Sequence, residues 1–188
     1  MKITTILGSP KKRGNTATIL GLVEQKLESM GHEVNHFYLN SKTIKGCLGC
    51  CKCTEHPDTL SCIQSDDTEE ILNTMMKSDA VLFTSPIYFW GVSAQLKTLI
   101  DRGMALVTQY GQTGHTSLMK GKRIGLLVTG EDSFENNAEA LFTTFDRFVD
   151  FLLAEKVGEM YVGQCSTTPD LTKEYLNEAH ALAQKLVS

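Results

Sequence analysis

Gly8-Ser9-Pro10-Lys11-Lys12-Arg13-Gly14-Asn15-Thr16 joins the apolar run Lys2 to Leu7, which reads as a strand, to an amphipathic segment beginning near Asn15. Two glycines allow close backbone approach, and the hydroxyl and amide side chains offer hydrogen bonds. The N-terminus of a helix adds unpaired N–H groups, so the junction suits a phosphate. The candidate contacts are Ser9, Lys11, Arg13, Gly14, Asn15 and Thr16, with Lys12 adding charge. A Walker A loop places four residues between its glycines and then Lys-Ser/Thr, whereas here five intervene and Asn15-Thr16 follows. A dinucleotide fingerprint wants a glycine where Pro10 stands. A terminal phosphate monoester therefore fits better than a nucleoside triphosphate or a pyrophosphate. The plainer alternative is a polar strand-to-helix turn with a good cap.

Outward from this loop, β-rich apolar runs recur at residues 2–7, 33–39, 80–85, 123–129 and 157–163, with helix-period segments between and after them. Ile19, Leu20, Val23 and Leu27 mark the buried stripe of the first helix, which Gly31 should stop. Ile71, Leu72 and Met75 mark the second, and Val92, Leu96, Leu99 and Ile100 the third. A fourth stripe runs from Ala138 to Leu152 and a fifth from Leu171 to Leu186, with Pro169 suited to its first turn. Five strands alternating with five helices predict an α/β doubly wound parallel sheet, order 2-1-3-4-5, with helices on both faces. Ligands in such a sheet sit beyond the carboxyl ends of the strands where the winding reverses, which brings the loops after strands one, three and four together.

The 188 residues suit a single domain, 1–188, with a Cys-rich excursion at about 40–66. A net charge of -4 with dispersed Lys and Arg gives no general attraction to nucleic acid or to an anionic membrane. No apolar run reaches membrane-spanning length and no leader pattern precedes the first strand, so a cytoplasmic location is expected. Of the six cysteines, five (Cys47, Cys50, Cys51, Cys53 and Cys62) fall within sixteen residues. That is too lopsided for a disulfide framework and points to thiols or metal.

After the third strand, Pro86-Ile87-Tyr88-Phe89-Trp90-Gly91 puts three adjacent aromatics where a turn would ordinarily be polar. They suit a flat partner. A ligand with a phosphate at one end and a planar ring at the other describes FMN, although the same aromatics would also serve as core or interface residues. After the fourth strand, the turn Thr129-Gly130-Glu131-Asp132-Ser133 could close the ring pocket from the other side, with Thr129, Gly130 and Glu131 as its candidate contacts. The five histidines form neither a metal-ligand spacing nor a pair with a nucleophile. A receiver domain would need acidic residues where Ser9-Pro10 and Ser85-Pro86 stand.

Gly8-Ser9-Pro10 with Gly14-Asn15-Thr16, Ser85-Pro86-Ile87-Tyr88 with Ser93-Ala94-Gln95-Leu96-Lys97 and Asp101-Arg102, and the intervening Gly46-Cys47-Leu48-Gly49-Cys50 resemble the NADPH-dependent FMN reductase family. The resemblance covers residues 1 to about 135. It implies a flavodoxin-like fold, noncovalent FMN, NADH or NADPH as donor, and a homodimer or homotetramer whose subunits help enclose the flavin. By the same resemblance, Ser9, Lys11, Asn15 and Thr16 match the phosphate loop, and residues Pro86 to Gly91 match the loop that holds the isoalloxazine.

An iron-sulfur flavoprotein subgroup of that family carries a [4Fe-4S] cluster on a compact cysteine motif in the same excursion. The matching residues here are Cys47, Cys50, Cys53 and Cys62, separated by two, two and eight residues, a final gap slightly longer than the subgroup's. Free thiols or zinc satisfy the same spacing, and Cys51 could replace Cys50 or Cys53. The function expected is an NAD(P)H-dependent flavin oxidoreductase that passes electrons to a small acceptor such as a quinone or flavin. The alternatives are an iron-sulfur flavoprotein in electron transfer, with ferredoxin as a partner, and a non-catalytic flavodoxin-like carrier.

Overall fold

A computed structural model describes residues 1–56, 59–111, 114–165 and 171–188. Pro169 lies outside them. The main elements are β1 (Lys2–Leu7), α1 (Asn15–Ser29), β2 (Glu33–Tyr38), α2 (Thr68–Lys77), β3 (Ala80–Tyr88), α3 (Ala94–Arg102), β4 (Arg123–Thr129), α4 (Glu139–Phe151), β5 (Glu155–Val162), α5 (Leu171–Glu174) and α6 (Leu176–Val187). Among the described residues the five long strands pair in parallel in the order β2-β1-β3-β4-β5, as the alternation predicts.

Side-chain alternation along the strands divides the core into two layers. Ile3 and Leu7 of β1, Leu82 of β3 and Leu127 of β4 pack under α1 and α6 against Ile19, Val23, Leu182 and Leu186. Ile6, Val81, Phe83, Leu126 and Val128 face the other way, beneath Leu72 of α2, Leu96 and Leu99 of α3, and Phe142 and Phe145 of α4. Each fully buried side chain of this size contributes about 1.5–3 kcal/mol. Gly31, at φ 83°, follows α1 where the sequence reading placed its stop.

Three boundaries differ from the sequence reading. β3 runs on to Tyr88, and Gly91–Val92 folds back antiparallel against Ile87 and Tyr88. Val92 is thus in a hairpin, and α3 starts only after Ser93, whose hydroxyl accepts from the Leu96 N–H at 3.2 Å. The last helical stretch is divided into α5 and α6 at Tyr175. Among the described residues no helix is long and apolar enough to cross a membrane.

The cysteine excursion is closed at its base by buried charge. Arg102 and Asp66, with side chains 2% and 1% exposed, pair at 2.7 Å. Asp66 also accepts from the N–H groups of Lys45 at 2.9 Å and Thr68 at 3.0 Å, while Asp67 accepts from the Thr43 N–H at 2.7 Å. Burial alone pushes the Asp66 carboxyl up, but Arg102 and the two backbone donors outweigh it and hold the group well below the usual carboxylate range. A depressed folded-state pKa stabilises the fold above the unfolded-state value near pH 4, and that contribution is lost as pH falls through the folded value. Asp66→Asn should therefore cost about 3–5 kcal/mol at pH 7, because it leaves a buried guanidinium without its anion. The penalty should shrink below pH 4, which urea melts at pH 7 and pH 3 will measure.

Candidate functional site

The loops after β1, β3 and β4 surround one cavity of about 710 Å³ at the carboxyl ends of the strands, within the size range of small-molecule sites. The first two loops are joined by buried hydrogen bonds. Gly8 N–H donates to the Thr84 carbonyl at 2.8 Å, the Ser93 hydroxyl donates to the Gly8 carbonyl at 2.5 Å, and the Ser93 N–H donates to Ser85 Oγ at 2.9 Å. A Cβ on Gly8 would stand 2.8 Å from both Thr84 O and Leu96 Cβ, so only glycine permits this approach. Thr16 Oγ1 and Thr129 Oγ1 meet at 2.7 Å in the interior, tying the start of α1 to the end of β4.

At the β1 end, Gly14 is the N-cap of α1 and provides no side-chain cap. Among the described residues the N–H groups of Asn15, Thr16 and Ala17 meet no acceptor. Open first-turn donors beside Lys11, which lines the cavity, give this corner a chemistry suited to an anion. Ser9, buried, accepts from the Lys11 N–H at 3.1 Å and lines the same corner. The Asn15 and Thr16 side chains, read from sequence as anion contacts, also have structural partners: Asn15 Nδ2 donates to the Cys165 carbonyl at 2.6 Å, and Thr16 bonds to Thr129.

At the β3 end, Phe89 and Trp90 form the two-residue tip of the hairpin, at φ 47° and 59°. A two-residue hairpin turn with both central residues at positive φ is ordinarily built from Asn and Gly. Side chains with a Cβ pay of order 1 kcal/mol each to hold it. Phe89 is 95% and Trp90 60% exposed, so the strained turn presents its rings outward at the cavity rim rather than burying them.

At the β4 end, Gly130 N–H donates to the Val162 carbonyl at 2.9 Å, and its carbonyl accepts from Cys165 N–H at 3.0 Å. A Cβ there would collide with Tyr161 Oη. Tyr161 donates to the Asp132 carbonyl at 2.8 Å and accepts from Asn137 Nδ2 at 2.8 Å, and burial pushes its hydroxyl pKa up. Lys11 lies on the first loop and Glu131 and Asp132 on the last, so the cavity is polarised from basic to acidic.

Ser9, Lys11, Gly14, Asn15, Thr16, Pro86, Ile87, Tyr88, Phe89, Trp90, Thr129, Gly130 and Glu131 all line this cavity. Arg13 and Gly91 are outside its lining. Asp132, read from sequence as part of the turn after the fourth strand, lines it too, while Asn137 and Cys165 line it without having been singled out as site residues. Asn137 and Cys165 are brought in by long-range hydrogen bonds that leave no local pattern.

A second constellation lies in the excursion. Cys47, Cys50, Cys51, Cys53 and Cys62 are free thiols and share one small cavity of about 50 Å³ with Arg102. Arg102 Nη2 donates to Cys62 Sγ at 3.3 Å. Burial, then the neighbouring Cys62, Cys47 and Cys50, push the Cys53 thiol up. Among the described residues no three His, Cys, Asp or Glu side chains converge on a single-ion site.

Residues 1–160 match the family described as NADPH-dependent FMN reductase. An iron-sulfur flavoprotein of Archaeoglobus fulgidus is 39% identical over 128 residues, 68% of this chain and 54% of that protein. One of Methanocaldococcus jannaschii is 32% identical over 150 residues, 79% of this chain and 71% of that protein. The chain spans about half the length of several curated relatives that it matches. The NAD(P)H:quinone oxidoreductase from Methanothermobacter marburgensis shares the fold, with TM-score 0.75 at 16% identity over 100% of this chain and 96% of that one.

The hairpin strain gives a direct test on the ligand-free protein. Replacing Phe89→Asn together with Trp90→Gly should raise stability by about 1 kcal/mol, because both residues adopt the turn at lower cost and the entropy glycine loses on folding offsets part of the gain. Urea unfolding followed by far-UV circular dichroism will measure it.

Proposed function

The chain belongs to the NADPH-dependent FMN reductase family, and from that premise we propose that it is an FMN-dependent NAD(P)H oxidoreductase passing electrons from a nicotinamide to a small acceptor such as a quinone or flavin. The observation that carries this reading is the single cavity running from an uncapped helix N-terminus beside Lys11 to the aromatic hairpin. The chemistry a bound flavin supplies is acceptance of a hydride and onward release of electrons.

The chain's own residues bind and orient. Lys11, Ser9 and the first-turn N–H groups of α1 are suited to a phosphate, and Tyr88, Phe89 and Trp90 to one face or edge of a planar ring. Pro86 and Ile87 add an apolar wall, with Thr129, Gly130 and Glu131 opposite. No histidine lines the cavity among the described residues, and the chemistry that a bound flavin would supply asks for no dedicated acid-base pair. In a homodimer or homotetramer the exposed hairpin would gain cover from a second subunit. Steady NAD(P)H oxidation would separate this enzyme from a flavodoxin-like carrier.

A second reading adds a [4Fe-4S] cluster held by Cys47, Cys50, Cys53 and Cys62. It is supported by the iron-sulfur name of the curated relatives and by the one cavity that these thiols share. The donor set fits: Cys47, Cys50, Cys53 and Cys62 would supply the four thiolates such a cluster takes, and all four line the one cavity. When bound, such a cluster supplies single-electron transfer. An iron, sulfide and zinc assay on protein purified without oxygen distinguishes a cluster from zinc or free thiols.

Trp90 is the chain's one tryptophan and lies on the cavity, so its fluorescence reports occupancy. FMN should quench it saturably, and riboflavin, lacking the phosphate, should bind at least about 10-fold more weakly, roughly 1.4 kcal/mol. Absence of quenching by FMN would end the proposal. Asn15→Asp should also weaken FMN about 10-fold or more, because a carboxylate would replace the amide donor at the phosphate corner and face the Cys165 carbonyl.

A further inference from the structure

We propose that Arg102 is a positioning residue of the cysteine cavity, holding the Cys62 sulfur toward the space shared with Cys47, Cys50 and Cys53 and placing a fixed positive charge against the iron-bound thiolates. The assignment rests on the cluster reading above. Arg102 closes α3 and is almost wholly buried. Its Nη1 donates to Asp66 Oδ2 at 2.7 Å and to the Lys45 carbonyl at 2.9 Å. Its Nη2 donates to Cys62 Sγ at 3.3 Å and to the Gln64 carbonyl at 3.5 Å. Lys45 precedes Cys47 on the outgoing limb of the excursion, while Cys62, Gln64 and Asp66 lie on the returning limb. One planar group therefore fixes both limbs at the cavity.

A purely structural role would be complete with the Asp66 pair. The second arm of the fork is directed instead to a sulfur, an acceptor that becomes strong only as a thiolate. Further donor capacity remains on the far side. Among the described residues Arg102 Nε is buried without a partner, and Arg102 and Cys62 also line an adjoining cavity of about 180 Å³. Asp66 balances the guanidinium on its Nη1 side while Nη2 faces the Cys62 sulfur, and hydrogen bonds to the sulfurs of a bound cluster would raise its reduction potential. Lysine would keep the charge but could not span Asp66, both carbonyls and Cys62 at once.

The test uses the full chain as wild type, Arg102→Lys, and Asp66→Asn combined with Arg102→Met, which leaves no unpaired charge if the single variant fails to fold. Each is reconstituted without oxygen with ferrous iron and sulfide, and circular dichroism melting shows that it is folded. Iron, acid-labile sulfide and the potential from a spectroelectrochemical titration are then read. Wild type should take up iron and sulfide in equal amounts. Arg102→Lys should hold a cluster of lower potential, and the double variant should lose at least half of its iron. Folded variants with wild-type content and potential would overturn the role of Arg102 and leave the cluster reading standing. A wild-type chain that takes up neither iron nor sulfide would overturn both.

Discussion

Where the backbone of Gly8 meets Thr84 there is no room for a side chain, and the arrangement of both sites follows from that contact. It locks the end of β1 to the end of β3 and gives the Gly8 carbonyl to the Ser93 hydroxyl. Ser93 caps α3 through the same oxygen. The loop after β1 and the start of α3 are therefore fixed by one small set of buried bonds. α3 is nine residues long, about 13 Å of helix, and its last residue is Arg102 at the cysteine cavity. A rigid rod thus runs from the larger cavity to the smaller one, and the packing of Leu96 and Leu99 into the core holds it in place.

The two ends of this rod use opposite physical strategies. At the larger cavity, favourable interactions are left unmade among the described residues: first-turn N–H groups without acceptors, a lysine at the rim, and two aromatics held outward by an unfavourable backbone. Such features cost stability in the free protein and become favourable when a ligand supplies their partners. At the excursion, a segment with few apolar residues of its own is held by a buried ion pair and by backbone donors to Asp66 and Asp67. Buried pairs of this sort contribute less to net stability than to specifying one arrangement of the chain around them.

The fold was legible because parallel strands and crossover helices impose strong periodicities, and Ile19, Val23 and Leu27 or Ile6, Val81 and Phe83 express them locally. The larger cavity was legible in outline because strand order places three loops together, and thirteen of the fifteen residues chosen from those loops line it. Arg13 was chosen for its charge and Gly91 for its place beside the aromatics, but neither property fixes the direction in which the chain turns. The hairpin that carries Val92 away from α3 was hidden, because Phe89 and Trp90 are unusual residues for that turn.

The sequence by itself determined the alternation of elements, the sheet order and the chemical character of the two clusters, since these depend on local pattern and on topology that permits few solutions. Tertiary structure alone decided which polar groups remain available. It committed Thr16 to Thr129, Asn15 in part to Cys165, and the second arm of Arg102 to Cys62. These pairings join residues up to 150 positions apart. Hydrogen bonds act over about 3 Å in space whatever the separation along the chain, so no local reading could have assigned them.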